Sequence, residues 1–297
     1  MSGAVFWASV GLILYAHGGY PLVIFLLGLV LRKPISASEK CQPTVTIIIT
    51  AYNEEKHIAK KLENTLHLDY PDNKLEIVVA SDGSTDGTDE IVLDYSDRYK
   101  TVKLCRVEGR VGKTETQNRA VAMAKGEIVV FSDATTDYKV DAITKMVRNY
   151  ADPTVGAVSG RYDYLAEKGS GIGVATTLFW RYENFIKSCQ ARLGTITGCC
   201  GCIYSVRKSL YERLDSEIIS DLVEPLKILR KGYRIAFETE AIAWERTTER
   251  SFEELEMRIR VISRGMNGLW HMKELLNPGN YGFIAFQLLS HKVLRWW

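Results

Sequence analysis

Neither sign of charge dominates this sequence: 38 lysines and arginines face 36 aspartates and glutamates across 297 residues, a formal net charge of +2. Proteins that track nucleic-acid phosphates ordinarily carry a clear basic excess, so the balance argues against a nucleic-acid partner. Proline is scarce at 7 residues, and with 46% hydrophobic residues the composition excludes collagen-like and disordered chains. The 6 cysteines do not have the spacing of a disulfide framework: Cys41, Cys105 and Cys189 stand alone, and Cys199, Cys200 and Cys202 crowd into TGCCGC. Cys199 and Cys202 make a nominal C-x-x-C pair, but no second pair or histidine cluster completes a zinc site, and the histidines are scattered. TGCCGC reads instead as small residues in a glycine-flanked turn.

Three familiar signatures are also missing. A dinucleotide-binding fold needs G-x-G-x-x-G at the start of its first helix, and AYNEEKH, from Ala51 to His57, has no glycine. GRVGKT ends like a P-loop, but Gly109 lies three residues before Gly112 rather than five. No G-x-S-x-G elbow occurs. The oxidoreductase, kinase and hydrolase readings all weaken.

What is present begins with an apolar run. From Ala4 to Leu31 no acidic or basic residue occurs other than His17. At about 1.5 Å rise per residue, roughly 20 residues cross a hydrocarbon core, so the run is long enough to span one. A signal peptide would start with basic residues and carry a small-x-small cleavage site before Arg32, Lys33 and Pro34, and neither is found. We read residues 1–34 as a retained membrane helix, kinked near Gly18, Gly19 and Pro21. Arg32 and Lys33 then put the remainder on the cytoplasmic face of the cell membrane.

After a linker, Ile35 to Pro43, short runs rich in Val and Ile alternate with helical stretches. Strands are expected at Thr44 to Thr50, Leu75 to Ser81, Val102 to Val107 and Glu127 to Asp133. Helices are expected at Glu54 to Leu68, opening after an Asn53 cap, at Thr85 to Tyr99 and at Thr114 to Lys125. Alternation of this kind predicts an α/β fold with a mainly parallel sheet flanked by helices. Ligands of such sheets bind beyond the carboxyl ends of the strands. There the chain carries Tyr52, Asn53 and Glu54, then Asp82 and Asp86, then the cations of GRVGK, and Asp133. A nucleotide and a divalent ion would account for these groups jointly.

With TAYNEE, SDGSTDGT, GRVGKTETQN, FSDATTDY and SDLVEP in this order, the chain resembles the inverting glycosyltransferases of family 2, in their membrane-associated polysaccharide and glycolipid group. The resemblance covers about residues 44 to 297. It implies a GT-A fold, a nucleotide-sugar donor and Mg2+ or Mn2+. Tyr52 and Glu54 resemble contacts around the nucleoside, and Asp82 resembles the acid that hydrogen-bonds the base; DGSTDG is also a good Asx turn, the reading preferred for Asp86. Asp133 stands at the first acidic position of the metal-binding D-x-D, whose third position here is Thr135. Lys113 resembles the loop lysine that offsets diphosphate charge. Asp221 matches the aspartate that serves as general base, although Ser220 replaces the acid before it and Glu217 and Glu224 are nearby competitors. Arg260 is the one residue retained where processive synthases carry QxxRW, and it would pair with the diphosphate, with Arg258 and Arg264 as assistants.

The segment from Tyr281, YGFIAFQLLSHKVLRWW, is apolar with basic and aromatic residues, which fits a helix at the membrane interface or the start of another spanning helix. A buried core helix is the bland alternative. Relatives commonly continue into membrane helices after such a segment, so the chain is expected to be cut short. The expected organisation is therefore an anchor at 1–34, a GT-A domain at 44–275 and an amphipathic interface segment at 276–297. The expected partners are a nucleotide sugar, most simply a UDP-sugar, and a lipid-linked or growing polysaccharide acceptor. Two alternatives share the acids and cations: a nucleotidyltransferase that makes a sugar nucleotide, and a non-catalytic membrane scaffold with a nucleotide pocket.

Overall fold

The computed structural model describes residues 3–165, 171–246 and 251–296. It opens on helices α1 (Gly3–Leu14) and α2 (Tyr20–Val30), joined by a π-helical turn at Tyr15–Gly19. Together they form one helix, Gly3–Val30, that is long and apolar enough to cross a membrane, with a mean hydropathy of 1.8. The π-turn lies next to Pro21, where the sequence pointed to a kink. Pro21 has no N–H, which frees the carbonyl of His17, and the Tyr182 hydroxyl donates to that carbonyl at 2.7 Å. One stripe, Ala16, Tyr20, Ile24 and Gly28, is buried. Most of the large apolar side chains elsewhere on this helix, among them Trp7, Leu14 and Val30, are exposed.

The body is built on eight strands: β1 (Val45–Ala51), β2 (Leu75–Ser81), β3 (Val102–Arg106), β4 (Ile128–Asp133), β5 (Asp137–Tyr138), β6 (Val155–Leu165), β7 (Tyr204–Arg207) and β8 (Arg234–Arg246). They form a single sheet in the order β3-β2-β1-β4-β7-β6-β8-β5. The β3-β2-β1-β4 half is parallel, as is the β6·β8 pair, while β7 runs antiparallel between β4 and β6. The four expected strands coincide with β1 to β4 within a residue or so. Buried on both faces, β1, β2 and β4 read as continuous apolar runs, whereas the edge strand β3 carries Lys103 and the exposed Arg106. Ile47, Ile49, Ile77 and Val79 face one core and Ile48, Val78 and Val129 the other, with the two-residue period of a strand.

The first core is covered by α3 (Ile58–Leu66), α4 (Thr88–Arg98) and α6 (Ala142–Val147), through Leu62, Val92 and Met146. The second is covered by α5 (Lys113–Met123) and α8 (Ser220–Arg230), with Leu269 of α9 (Ser251–His271) and Leu288 of α11 (Phe283–Leu288). The long helix α7 (Gly171–Arg192) carries Ile186 and Cys189, with Leu193 just beyond it, against Tyr20 and Ile24 of the N-terminal helix. The chain closes through α10 (Pro278–Tyr281), a π-turn at Leu289–Val293 and α12 (Leu294–Trp296).

One expectation is corrected. Asn53 does not cap a helix: α3 starts at Ile58, and Asn53 takes a positive φ of 55° with its side-chain oxygen accepting from the Thr85 amide. The C-terminal segment packs on protein, since Ala285, Gln287, Leu288 and His291 are buried. A buried polar cluster, described below, joins it to α7 and the N-terminal helix.

Candidate active site

The carboxyl ends of β1, β2 and β4 lie side by side, with Thr50 opposite Asp133 and Ala51 opposite Ser81. Parallel pairing therefore brings the loops 52–55, 82–88 and 109–113 to one edge. They are zipped together by their own polar groups. The Glu54 amide donates to Thr88 Oγ1 at 2.8 Å, and the Gly87 amide donates to Glu55 Oε2 at 3.0 Å. Asp86 accepts from the Thr88 amide at 3.0 Å, the Asx turn expected of it. Gly83 is required twice over: its φ is +68°, and a Cβ there would stand 2.7 Å from the Gly109 carbonyl oxygen.

The residues singled out in the sequence have definite places, with the exception of Arg260. Tyr52 lies at this edge with the Arg110 guanidinium 4.1 Å over its ring. Glu54 contacts His57 Nδ1 at 2.8 Å. Asp82, 5% exposed, accepts from the amides of Val111 and Gly112 at 2.8 and 3.0 Å and from Thr116 Oγ1 at 3.0 Å. Its carboxylate thus moulds the GRVGK loop. Lys113, the first residue of α5, forms an ion pair with Asp133 at the end of β4. Arg260 lies on α9, and its side chain falls outside the described residues.

Asp221 sits in the first turn of α8. Thr114 Oγ1 donates to the Ile218 carbonyl at 2.6 Å, tying the start of α5 to the segment before it. Pro225 lies inside α8, so the Asp221 carbonyl has no helical N–H; the Cys199 amide donates to it at 3.0 Å. This couples the TGCCGC turn to the aspartate. The carboxyl stays partly accessible, yet surrounding protein strips its hydration and raises its pKa. Lys113, Lys292 and Lys187 limit the rise, and Asp133 adds to it. Asp221, Lys113 and Asp133 therefore act on one another across the site. A carboxylate with raised proton affinity suits a general base.

Sequence pattern gave no place in the site to Lys61, Lys292 or Trp296. Lys61 is buried under the loop after β4, where Nζ donates to the Thr136 carbonyl at 2.8 Å and lies 3.9 Å from the Tyr138 ring centre. Its place in α3, on the buried side with Ile58, Leu62 and Thr65, was the available signal.

Among the described residues no cluster of three metal-ligating side chains exists. The donor chemistry still fits a hard divalent cation that takes one carboxylate and completes its shell with phosphate oxygens and water. Asp133 is the carboxylate available for it, since Lys113 engages only its Oδ1.

A curled, mostly parallel sheet with this acidic and cationic edge, extended by antiparallel β7 and followed by a helix bearing an aspartate, defines a glycosyltransferase of the GT-A type. The chain belongs to glycosyl transferase family 2, whose model matches residues 46–215, more than half of its length. It is 29% identical over 226 residues to the probable glycosyltransferase YdaM of Bacillus subtilis (strain 168), covering 70% of this chain and 51% of that protein. It is 30% identical over 206 residues to the poly-beta-1,6-N-acetyl-D-glucosamine synthase of Staphylococcus aureus (strain COL), covering 67% and 49%. The chain thus spans about half the length of these curated relatives. Its fold is similar to the mannosyltransferase PcManGT from Pyrobaculum calidifontis, solved with GDP-Man and Mn2+: TM-score 0.77, 27% identity, covering 97% of this chain and 82% of that one. Family membership favours a glycosyltransferase over the nucleotidyltransferase and scaffold alternatives.

Proposed function

We propose that the chain is an inverting glycosyltransferase that moves a sugar from a nucleotide sugar, a UDP-sugar in our reading, to a lipid-linked or growing polysaccharide acceptor at the cytoplasmic face of the cell membrane. The observation that carries this reading is Asp221, poised on a helix beside the Lys113–Asp133 pair. In this role Asp221 takes the proton of the acceptor hydroxyl as that oxygen attacks the anomeric carbon opposite the departing nucleoside diphosphate. Tyr52, Glu54 and Asp82 shape the nucleoside side of the cleft, Lys113 faces the diphosphate, and Arg260 is assigned to the diphosphate from its place in the sequence motif. Asp133, with phosphate oxygens of the donor, would hold Mg2+ or Mn2+. Such a cation, when bound, neutralises charge on the leaving diphosphate.

Residues 1–34 serve as the anchor in this reading, 44–275 as the catalytic domain and 276–297 as the segment at the membrane edge. The exposed apolar surface of the N-terminal helix supports the anchor. The relatives suggest the first donors to test: UDP-N-acetylglucosamine, from the polymer made by one, and GDP-mannose, from the complex of another. Both are offered to the chain in membrane vesicles with Mn2+ or Mg2+, and nucleoside diphosphate release and glycosylated product are followed. Asp221→Asn is expected to lower transfer by at least roughly 10²-fold while nucleotide binding persists. Near-normal turnover in that variant refutes the role of Asp221.

A further inference from the structure

Beside Asp221 lies a partly open cavity of about 80 Å3, whose walls include Cys199, Asp221, Val261, Lys292 and Trp296. Two of these residues come from the C-terminal segment that the sequence pattern assigned to the membrane edge. Three glycines leave room there, and none of them has a left-handed backbone that would demand glycine. A Cβ at Gly201 would stand 2.7 Å from Asp221 Oδ2, one at Gly198 3.7 Å from Lys292 Cε, and one at Gly265 2.7 Å from the Trp296 ring. Gly265 and Gly198 line the cavity and Gly201 backs Asp221; a side chain is sterically resisted at Gly201 and Gly265, while a Cβ at Gly198 meets only ordinary van der Waals contacts.

The segment is held in place by Glu183, buried on α7. Arg295 Nη1 donates to its Oε1 at 2.5 Å, and His291 Nε2 lies 3.3 Å from its Oε2. Gln190, two turns further along α7, places Nε2 3.2 Å from His291 Nδ1 and donates to the Tyr20 hydroxyl at 2.7 Å. A buried, hydrogen-bonded network of this kind specifies one arrangement. It delivers Lys292 and Trp296 to the cavity, with the Lys292 ammonium 5.5 Å from the centre of the Trp296 ring.

An aromatic ring, an ammonium and a carboxylate around one small space complement a pyranose, which has apolar C–H faces, a rim of hydroxyls and one hydroxyl to be deprotonated. We propose, resting on the reading of Asp221 as the base, that Lys292 and Trp296 determine acceptor specificity. The Trp296 ring takes one face of the terminal acceptor pyranose, and Lys292 donates to a ring hydroxyl so that a neighbouring hydroxyl meets Asp221. The inner space of about 80 Å3, the volume of about two to three waters, takes the edge of one ring, and its open side leaves the remainder of an acceptor outside.

Saturation-transfer NMR on the full chain in detergent, with Mn2+ and whichever of UDP or GDP it binds, tests this with the methyl β-glycosides of glucose, N-acetylglucosamine and mannose. The wild type should bind at least one of them. Trp296→Ala and Gly198→Val should each weaken that binding about tenfold or more, while Trp296→Phe recovers most of it and nucleotide affinity stays within about twofold throughout. The proposal is overturned if the wild type binds none of the glycosides, if both variants bind them unchanged, or if nucleotide affinity falls in parallel. Failure of the base reading shows separately, as transfer by Asp221→Asn, and leaves the glycoside affinities to be judged on their own.

Discussion

Glu224 lies one turn beyond Asp221 on α8 and is fully buried, and neither carboxyl oxygen makes a hydrogen bond of ordinary geometry among the described residues. Burial pushes its pKa up to about 8 from an ordinary 4.5; Lys227, Lys231 and the Glu212 backbone offset only part of that. Because the folded value is raised, the folded state holds a proton that the unfolded chain releases above pH 4.5. Stability contributed by this group is therefore full at acid pH and is lost as pH rises towards 8. Each pKa unit corresponds to about 1.4 kcal/mol, so between pH 5 and pH 8 the loss approaches roughly 3 to 4 kcal/mol as an upper figure. Glu224→Gln keeps the shape and removes the titration. Whatever constant cost the amide brings, the variant's stability relative to wild type should improve steadily from pH 5 to pH 8. At roughly 2 °C or more per kcal/mol, that is a relative shift in melting temperature of about 5–10 °C. Thermal unfolding in detergent at four pH values measures it. A difference between the proteins that stays flat with pH refutes the reasoning.

Lys61 should show the opposite slope. Burial lowers its pKa from 10.5 to about 7, so the folded state binds fewer protons between those values and stability rises with pH across that window. The gain from Lys61→Met is then greatest at or below pH 7 and fades towards pH 10 in the same melting series. Pro225→Ala restores an N–H that competes with Cys199 for the Asp221 carbonyl. It should leave the melting temperature unchanged or higher, because alanine suits a helix interior, while transfer falls about tenfold through misplacement of the base. Gly83→Ala should cost roughly 2 kcal/mol in unfolding free energy and raise the donor KM, since both its φ and its contact with Gly109 resist a side chain.

Strands β1, β2 and β4 were legible because burial on both faces writes itself as unbroken Val and Ile runs. The strand-end groups were legible for a related reason: in a parallel sheet, residues that follow successive strands must share an edge. Asn53 was misread because its side chain is chemically apt for a helix cap, while the amide it serves belongs to Thr85, in another loop. Asp82 shows the same gap. Its position was foreseen, but that its oxygens organise Val111, Gly112 and Thr116 depends on where the GRVGK loop returns.

By itself the sequence determined the apolar N-terminal helix, the alternation that makes the sheet, and the family to which the chain belongs, since these rest on local periodicity and on motifs in linear order. Tertiary structure decided which groups act on one another. Lys113 and Asp133 are 20 residues apart, Cys199 and Asp221 meet through a carbonyl that Pro225 leaves open, and Glu183 holds Arg295 from 112 residues away. Such pairings depend on how helices pack across the sheet, and burial then sets the protonation of Asp221, Glu224 and Lys61. No linear pattern encodes a local dielectric, which is why the chemistry of the site became readable only once the chain was folded.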